Sequence, residues 1–301
     1  MGQSWNTSAR IFFFLLVAMA LPGGCREKPG SSASTAPSGE SRTKVASLVP
    51  AATDLILGMG AGDRLVAISN QEPAEFASKS LPRVGDYQAT DWEMLAELKP
   101  QVMIIQIDPA HLPEGFTQKA ATLKIQLINI RLNTLEDLLE GSRQIGRAIG
   151  EPQKGEALST QLRSRLDAIQ KKWAGQPRIK TLLTLDETAE NIVGAPTFLD
   201  DLLRIAGGQN AGASLNAPWP RIDHESLLSL KPKVVIQLKP NAKPGTLDRA
   251  KSFWARLGGD DGTAPGIYLL SDSYVLLPGA HVADVAEAME RCLHPKIEAK
   301  P

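Results

Sequence analysis

The segment DWEMLAELKPQVMI, beginning at Asp91, recurs as DHESLLSLKPKVVI from Asp223. Both copies run Asp-x-Glu, two leucines three apart, Lys-Pro and then an apolar, β-rich run. The grammar is that of a helix followed by a buried strand. Asp91 and Asp223 can cap a helix by accepting backbone N–H bonds, and Glu93 and Glu225 fall in the first turn, where the helix dipole favours negative charge. Leu95 and Leu98, like Leu227 and Leu230, share one helical face. Lys99 and Lys231 suit the C-terminal end, and Pro100 and Pro232 stop the helix before the strand. Two unrelated βαβ units can converge on such punctuation. The shared Asp, Glu, both leucines, Lys-Pro, Val and Ile favour two related lobes instead.

The rest of the chain agrees with that plan. From Val45 the pattern reads strand, turn, helix, strand: VASLV, PAATDLILGMG, DRLVAIS, with Thr53 and Asp54 as N-cap candidates and Gly58 and Gly60 at the helix end. VMIIQI and LKIQLINI supply further strands. Unbroken apolar strands separated by helices point to a parallel sheet covered on both faces. Between Thr134 and Ala174 the spacing becomes three and four with charges on the opposite face, one long helix or two stacked ones bending at Gly150 to Pro152. From Arg178 the alternation resumes, through IKTLLTL, FLDDLLRIAGG, the second copy of the phrase, SFWARL, GIYLL and a last helix, HVADVAEAMERCL. The fold class is α/β, two lobes each with a mainly parallel sheet flanked by helices and joined by one long rigid helix. The expected boundaries are 44–132 for the N-terminal lobe, 133–174 for the linking helix and 175–298 for the C-terminal lobe.

The N-terminus carries the compartment signal. Arg10 precedes the apolar run IFFFLLVAMAL, too short to span a bilayer, and PGGC follows it. Residues 1–25 resemble a bacterial lipoprotein signal, with Cys25 the acylated residue. Pro22 stands where such signals usually place leucine, and Leu21 is one step further away. The Ser-, Pro- and Gly-rich residues 26–43 read as a disordered tether. Cys292, the only other cysteine, reads as a small core hydrophobe on the last helix. A formal net charge of zero and the absence of a Lys/Arg stripe argue against nucleic acid as a partner.

VASLVPAATDLILGMGAGDRLVAIS, LPRVGDYQATDWEMLAELKPQVMI, LLRIAGGQN and WPRIDHESLLSLKPKVVI together resemble the periplasmic substrate-binding proteins of ABC importers for cobalamin and ferric siderophores, the class with two α/β lobes and a helical backbone. The resemblance runs from Val45 to about Leu293. It implies a ligand cleft between the lobes, and Glu93 and Glu225 as paired carboxylates that dock on a permease dimer served by ATPase subunits. By position in the motifs it implies ligand contacts from Pro50, at the start of the first helix, from Tyr87, where cobalamin-binding relatives have tryptophan, and from Trp219. Asn70, Asp272 and Tyr274, near the ends of strands, are further candidates; loop capping is the alternative for each. Relatives often carry an arginine shortly after the position of Asp272. Here SYVLLPG has no cation, which favours a neutral or amide-rich ligand such as a corrinoid over an acidic catecholate siderophore.

The resemblance also implies a monomer anchored to a bacterial membrane by its lipid, with no cofactor beyond the bound corrinoid or iron chelate. A haem receptor of the same class and a ligand sensor without transport are the alternatives, the former because Tyr87 lies one residue from the place where haem-binding relatives carry a tyrosine. The four histidines, His111, His224, His281 and His294, include no pair at metal-ligand spacing. Neither a Gly-x-Ser-x-Gly elbow nor a phosphate loop is present. No enzyme and no zinc or manganese site is expected.

Overall fold

The central strands are short and apolar, and among the described residues each strand is followed by a helix, the connection that parallel pairing needs. The computed structural model describes residues 42–73, 81–257 and 264–295. The signal sequence, Cys25 and nearly all of the tether lie outside them.

The first lobe contains β1 (Val45–Ser47), α1 (Pro50–Gly58), β2 (Leu65–Ala67), α2 (Trp92–Leu98), β3 (Val102–Ile105), α3 (Phe116–Thr122) and β4 (Gln126–Asn129). Two helices follow, α4 (Leu135–Ala148) and α5 (Pro152–Lys172). The second lobe contains β5 (Ile179–Thr184), α6 (Phe198–Ile205), β6 (Gly208–Asn210), α7 (His224–Leu230), β7 (Val234–Leu238), α8 (Thr246–Leu257), β8 (Gly266–Leu270) and α9 (Val282–Leu293). The two sheets have the same topology, β2-β1-β3-β4 and β6-β5-β7-β8, with every pairing parallel. The doubled phrase is therefore α2–β3 in one lobe and α7–β7 in the other.

Alternation along the central strands divides the side chains between cores. Val102 and Ile104 of β3 face one apolar cluster, and Met103 and Ile105 face another that belongs to the first lobe alone. In the second lobe Leu183 of β5 and Ile236 of β7 face that same first cluster, whereas Leu182 and Val235 face a core of their own. The shared cluster is filled by Leu55 and Ile56 of α1, Leu138 and Ile145 of α4, Leu162 and Leu166 of α5, Leu202 of α6 and Met289 of α9. The lobes thus each keep a private core on one sheet face and contribute the other face to a common helical layer.

The linking segment is a stacked pair. Thr134 and Asp137 form a capping box at the start of α4, Gly150 turns the chain at φ 78°, and Pro152 opens the 21-residue α5. The two helices run antiparallel, with Arg143 Nε donating to Glu156 at 2.9 Å. Their backbones meet at Gly146 and Gly155: a Cβ on Gly155 would lie 2.7 Å from the Ser142 carbonyl and 3.0 Å from the Gly146 Cα.

One local expectation is corrected. Thr53 and Asp54 do not cap α1, which begins at Pro50 after Val49 and so carries both residues in its interior, buried. Proline at the first helical position needs no N–H partner, so the start is set upstream of them. Cys292 is buried and unoxidised on α9, and burial pushes its thiol up to about 11.

Overpacking a backbone contact of this closeness costs roughly 1 to 3 kcal/mol. Gly155→Leu is therefore expected to lower the melting temperature by about 3 to 10 °C, read by circular dichroism. An unchanged melting temperature would remove the Gly146–Gly155 crossing from the account.

Candidate functional site

In a parallel sheet the crevice for a ligand lies at the carboxyl ends of the strands. Pro50, half-buried, begins α1 just past the end of β1. Asn70 lies just past β2, exposed, and its side chain is committed: Oδ1 accepts from the Gly85 N–H at 3.2 Å, while its own N–H donates to the Gly85 carbonyl at 3.3 Å. Asn70 therefore ties down the turn that presents Tyr87. Asp86 tightens the same turn by accepting from the N–H groups of Gln88 and Ala89 at 2.9 and 3.0 Å. Gly85 has φ 88°, and a Cβ there would lie 1.8 Å from the Ala89 carbonyl. Tyr87 is half-buried against the private core of the first lobe.

Trp219 belongs to a comparable device in the second lobe. The carbonyls of Pro218 and Pro220 accept from the N–H groups of Gly194 and Ile192 at 2.9 and 3.1 Å, so the segment lies like a strand along residues 192–194. A Cβ on Gly194 would lie 1.9 Å from the Ala217 carbonyl. Between its two prolines Trp219 is 51 % exposed, a large indole presented to solvent on a fixed backbone. Such a ring offers wide apolar contact at low entropic cost. Sequence reading singled out both aromatic residues as candidates and not Gly85 and Gly194, which hold their loops; the only available signal was a glycine within VGDY and IVGAP.

Asp272 follows β8 and is exposed. Tyr274 turns inward, stacking on His281 with ring centroids 4.4 Å apart and an interplanar angle of 17°. His281 in turn lies at 3.0 Å from a carboxylate oxygen of Asp54, which is 1 % exposed and also accepts from the Ala280 N–H at 2.7 Å. Asp54 sits on α1 of the first lobe and His281 precedes α9 of the second, so this contact crosses the lobes. Gly279 makes it possible, since a Cβ there would lie 2.1 Å from Asp54 Oδ2. Asp54 was expected to serve its own helix and is a cross-lobe acceptor instead. Two more polar contacts tie the start of the linking segment to the second lobe: the Asn133 carbonyl accepts from the Phe198 N–H at 2.7 Å, and Asp201 accepts from the Leu135 N–H at 2.9 Å.

Glu72, 5 % exposed, lies beside Asp54. Burial pushes its carboxyl up to about 7, a rise only partly offset by Thr53 and the Arg83 charge. Asp54 likewise raises His281 above the ordinary imidazole range, by hydrogen bonding first.

Glu93 and Glu225 occupy the same place in their lobes. Each is exposed in the first turn of a seven-residue helix capped by aspartate: Asp91 accepts from the Met94 N–H at 2.9 Å and Asp223 from the Ser226 N–H at 2.8 Å. Each helix ends on a left-handed lysine, Lys99 at φ 52° and Lys231 at φ 43°. The residue before each glutamate leans on an aromatic ring of the following helix, Trp92 on Phe116 with centroids 5.0 Å apart and His224 on Phe253 at 5.6 Å. Among the described residues no group of three His, Cys, Asp or Glu could hold a metal ion, and no helix is long and apolar enough to cross a membrane.

The family model described as periplasmic binding protein matches residues 45–253, and the chain belongs to that family. It is a binding protein of the periplasmic class rather than an enzyme. A vitamin B12-binding protein of Vibrio vulnificus is 26% identical over 199 residues, 66% of this chain and 72% of that protein. Among solved structures, the periplasmic vitamin B12 binding protein of Vibrio cholerae superposes with a TM-score of 0.67 at 22% identity, covering 84% of this chain and 97% of its own. A periplasmic heme binding protein of the same organism gives 0.69 at 23% identity, covering 84% and 99%. These likenesses share the fold described above.

The lobe junction generates a pH prediction. A group whose pKa is higher in the folded than in the unfolded chain adds stability below its unfolded pKa and loses it as pH rises through the folded value. Glu72 and His281 both have that sign. Stability should therefore fall between about pH 4.5 and pH 7.5, by on the order of 2 kcal/mol from Glu72. Urea unfolding at pH 5 and pH 7.5 measures the difference, and Glu72→Gln should remove most of it. Equal stability at the two pH values would contradict the buried-carboxyl reading.

Proposed function

We propose that the chain is the substrate-binding component of an ABC importer, capturing a large chelate ligand between its two lobes and delivering it to a membrane permease. The observation that carries this reading is the duplication of one surface feature: an Asp-capped, exposed glutamate at the same place on two lobes of identical topology, in a chain of the periplasmic binding protein family. Neither fold nor helix dipole requires the glutamate in both lobes. A two-fold permease dimer does, because it offers the same basic pocket twice.

The ligand class we favour is a corrinoid or a ferric siderophore. Tyr87 and Trp219, held on tight loops of opposite lobes, suit a large ligand with flat or apolar faces. Pro50, Asn70, Asp272 and Tyr274 complete the proposed contacts. The relatives named vitamin B12-binding protein support the corrinoid. A haem receptor is the second reading, supported by the heme-binding neighbours and by the half-buried phenol of Tyr87, since a tyrosine oxygen can ligate ferric iron. On this account Cys25 carries the lipid, residues 26–43 tether a monomeric binding unit to a bacterial membrane, and the tether raises its local concentration at the permease. Closure on the ligand is small, because the lobes meet through packed helices rather than flexible strands.

Titration of the purified protein with cyanocobalamin, haemin and a hydroxamate ferric siderophore, read by tryptophan quenching, is expected to give saturable binding to one of them. Trp219→Ala should weaken that binding about tenfold, the equivalent of roughly 1.4 kcal/mol. Binding to none of the three would sink the reading. For docking, Glu93→Arg combined with Glu225→Arg should abolish uptake in cells while the affinity for ligand stays unchanged. Uptake at the wild-type rate in the double variant would contradict the role given to the pair.

A further inference from the structure

An open depression of about 710 Å³ lies at the carboxyl ends of β3 and β4, with Gln106, Asp108, Asn129, Arg131 and Asn133 on its walls. It reaches the lobe junction, because the Asn133 carbonyl takes the Phe198 N–H of the second lobe. Asn129 and Asp108 are already engaged, whereas Gln106 and Asn133 are neutral and have no side-chain hydrogen bond to a described residue. Asn129 clamps the two strand ends together, donating to the Ile107 carbonyl at 2.7 Å and accepting from the Ile107 N–H at 3.1 Å. Asp108 accepts from the Ala110 N–H at 3.0 Å and lies 3.8 Å from His111, so its charge serves its own turn.

Arg131 differs. It is exposed, and no hydrogen bond or ion pair joins its guanidinium to any described residue. Many other arginines of the fold are spent on carboxylates, as Arg165 is on Asp284 and Glu287 and Arg249 on Glu187, or on carbonyls, as Arg83 is on Asn70 and Glu72; Arg256 of α8, which does not line the depression, is likewise exposed. The duplicated topology gives the position meaning. β4 and β8 are equivalent strands, and Arg131 follows the end of β4 by the same two residues that separate Asp272 from the end of β8. One rim of the proposed cleft therefore carries a cation where the matching rim of the other lobe carries an anion.

We propose that Arg131 is a ligand-binding residue that recognises an anionic substituent, a carboxylate or a phosphate, on the bound chelate. The inference rests on the cleft reading above and sharpens its ligand class. A planar guanidinium with free N–H donors matches both anions in two-point geometry, and a concave, partly desolvated wall strengthens the pairing. With Asp272 at the equivalent place opposite, a ligand carrying both an anionic group and donors would enter in one orientation. The absence of a cation in the loop after Asp272 therefore does not exclude acidic ligands, since the charge is supplied from the other lobe.

The test pairs each chelate with an analogue lacking its anion: haemin with haemin dimethyl ester, and cyanocobalamin with dicyanocobinamide, which lacks the phosphodiester. Affinities are measured for the wild type, Arg131→Gln and Arg131→Lys, with folding checked by thermal melts that this exposed residue should leave unchanged. The wild type is expected to prefer the anionic member of one pair by about tenfold or more. Arg131→Gln should remove that preference without changing affinity for the neutral member, and Arg131→Lys should keep part of it. The pair that responds distinguishes carboxylate from phosphate. Binding without an anion preference, or a preference that survives in Arg131→Gln, overturns this proposal and leaves the cleft reading standing. Failure of all four chelates and of the hydroxamate ferric siderophore to bind overturns both.

Discussion

The structure depends on one buried layer. Leu162 and Leu166 of α5 and Leu138 and Ile145 of α4 belong to one continuous apolar cluster with Ile104 of one lobe's sheet and Ile236 of the other's. Removing a fully buried leucine from such a layer costs about 2 to 5 kcal/mol, so the lobes are coupled by a core rather than by a linker. The polar contacts at the rim of this layer, Asp54 with Ala280 and His281, and Asn133 with Phe198, are individually modest. Their value is in register, because each fixes one strand end or helix start relative to the other lobe.

With the lobes fixed in this way, positions on them can act at a distance. Glu93 and Glu225 are held on short helices whose caps, lysine ends and ring supports are alike, so their separation is set by the common core. Tyr87 and Trp219 are fixed on loops whose glycines leave no room for a Cβ. Preorganisation of this kind lowers the entropy lost on binding. On the function proposed above, ligand and permease are met mainly with geometry already in place.

Much of the fold was legible in the sequence, for physical reasons. Buried parallel strands must be apolar throughout, and a helix between two of them needs a cap and a stop, so Asp91 to Ile104 and Asp223 to Ile236 announced themselves. The helix α3 was missed because FTQKAAT carries little amphipathic pattern over its seven residues. Asp54 was misassigned because its role is a contact between residues 227 positions apart in the chain, His281 and Asp54, which no local pattern encodes. Arg131 gave no signal for a similar reason. What distinguishes it is its place in the depression at the end of β4 and its equivalence to Asp272, which emerges only when the sheets are laid side by side.

The central claim is that the two lobes form one cooperative body through their shared helical layer. Native-state hydrogen exchange in increasing denaturant tests it most directly, by following amides of β3, α5 and β7. The account predicts that all three exchange through the same global opening, with equal free energy and equal denaturant dependence. Exchange of β7 through an opening several kcal/mol cheaper, while β3 and α5 remain protected, would contradict it and reduce the shared layer to a contact between independent domains.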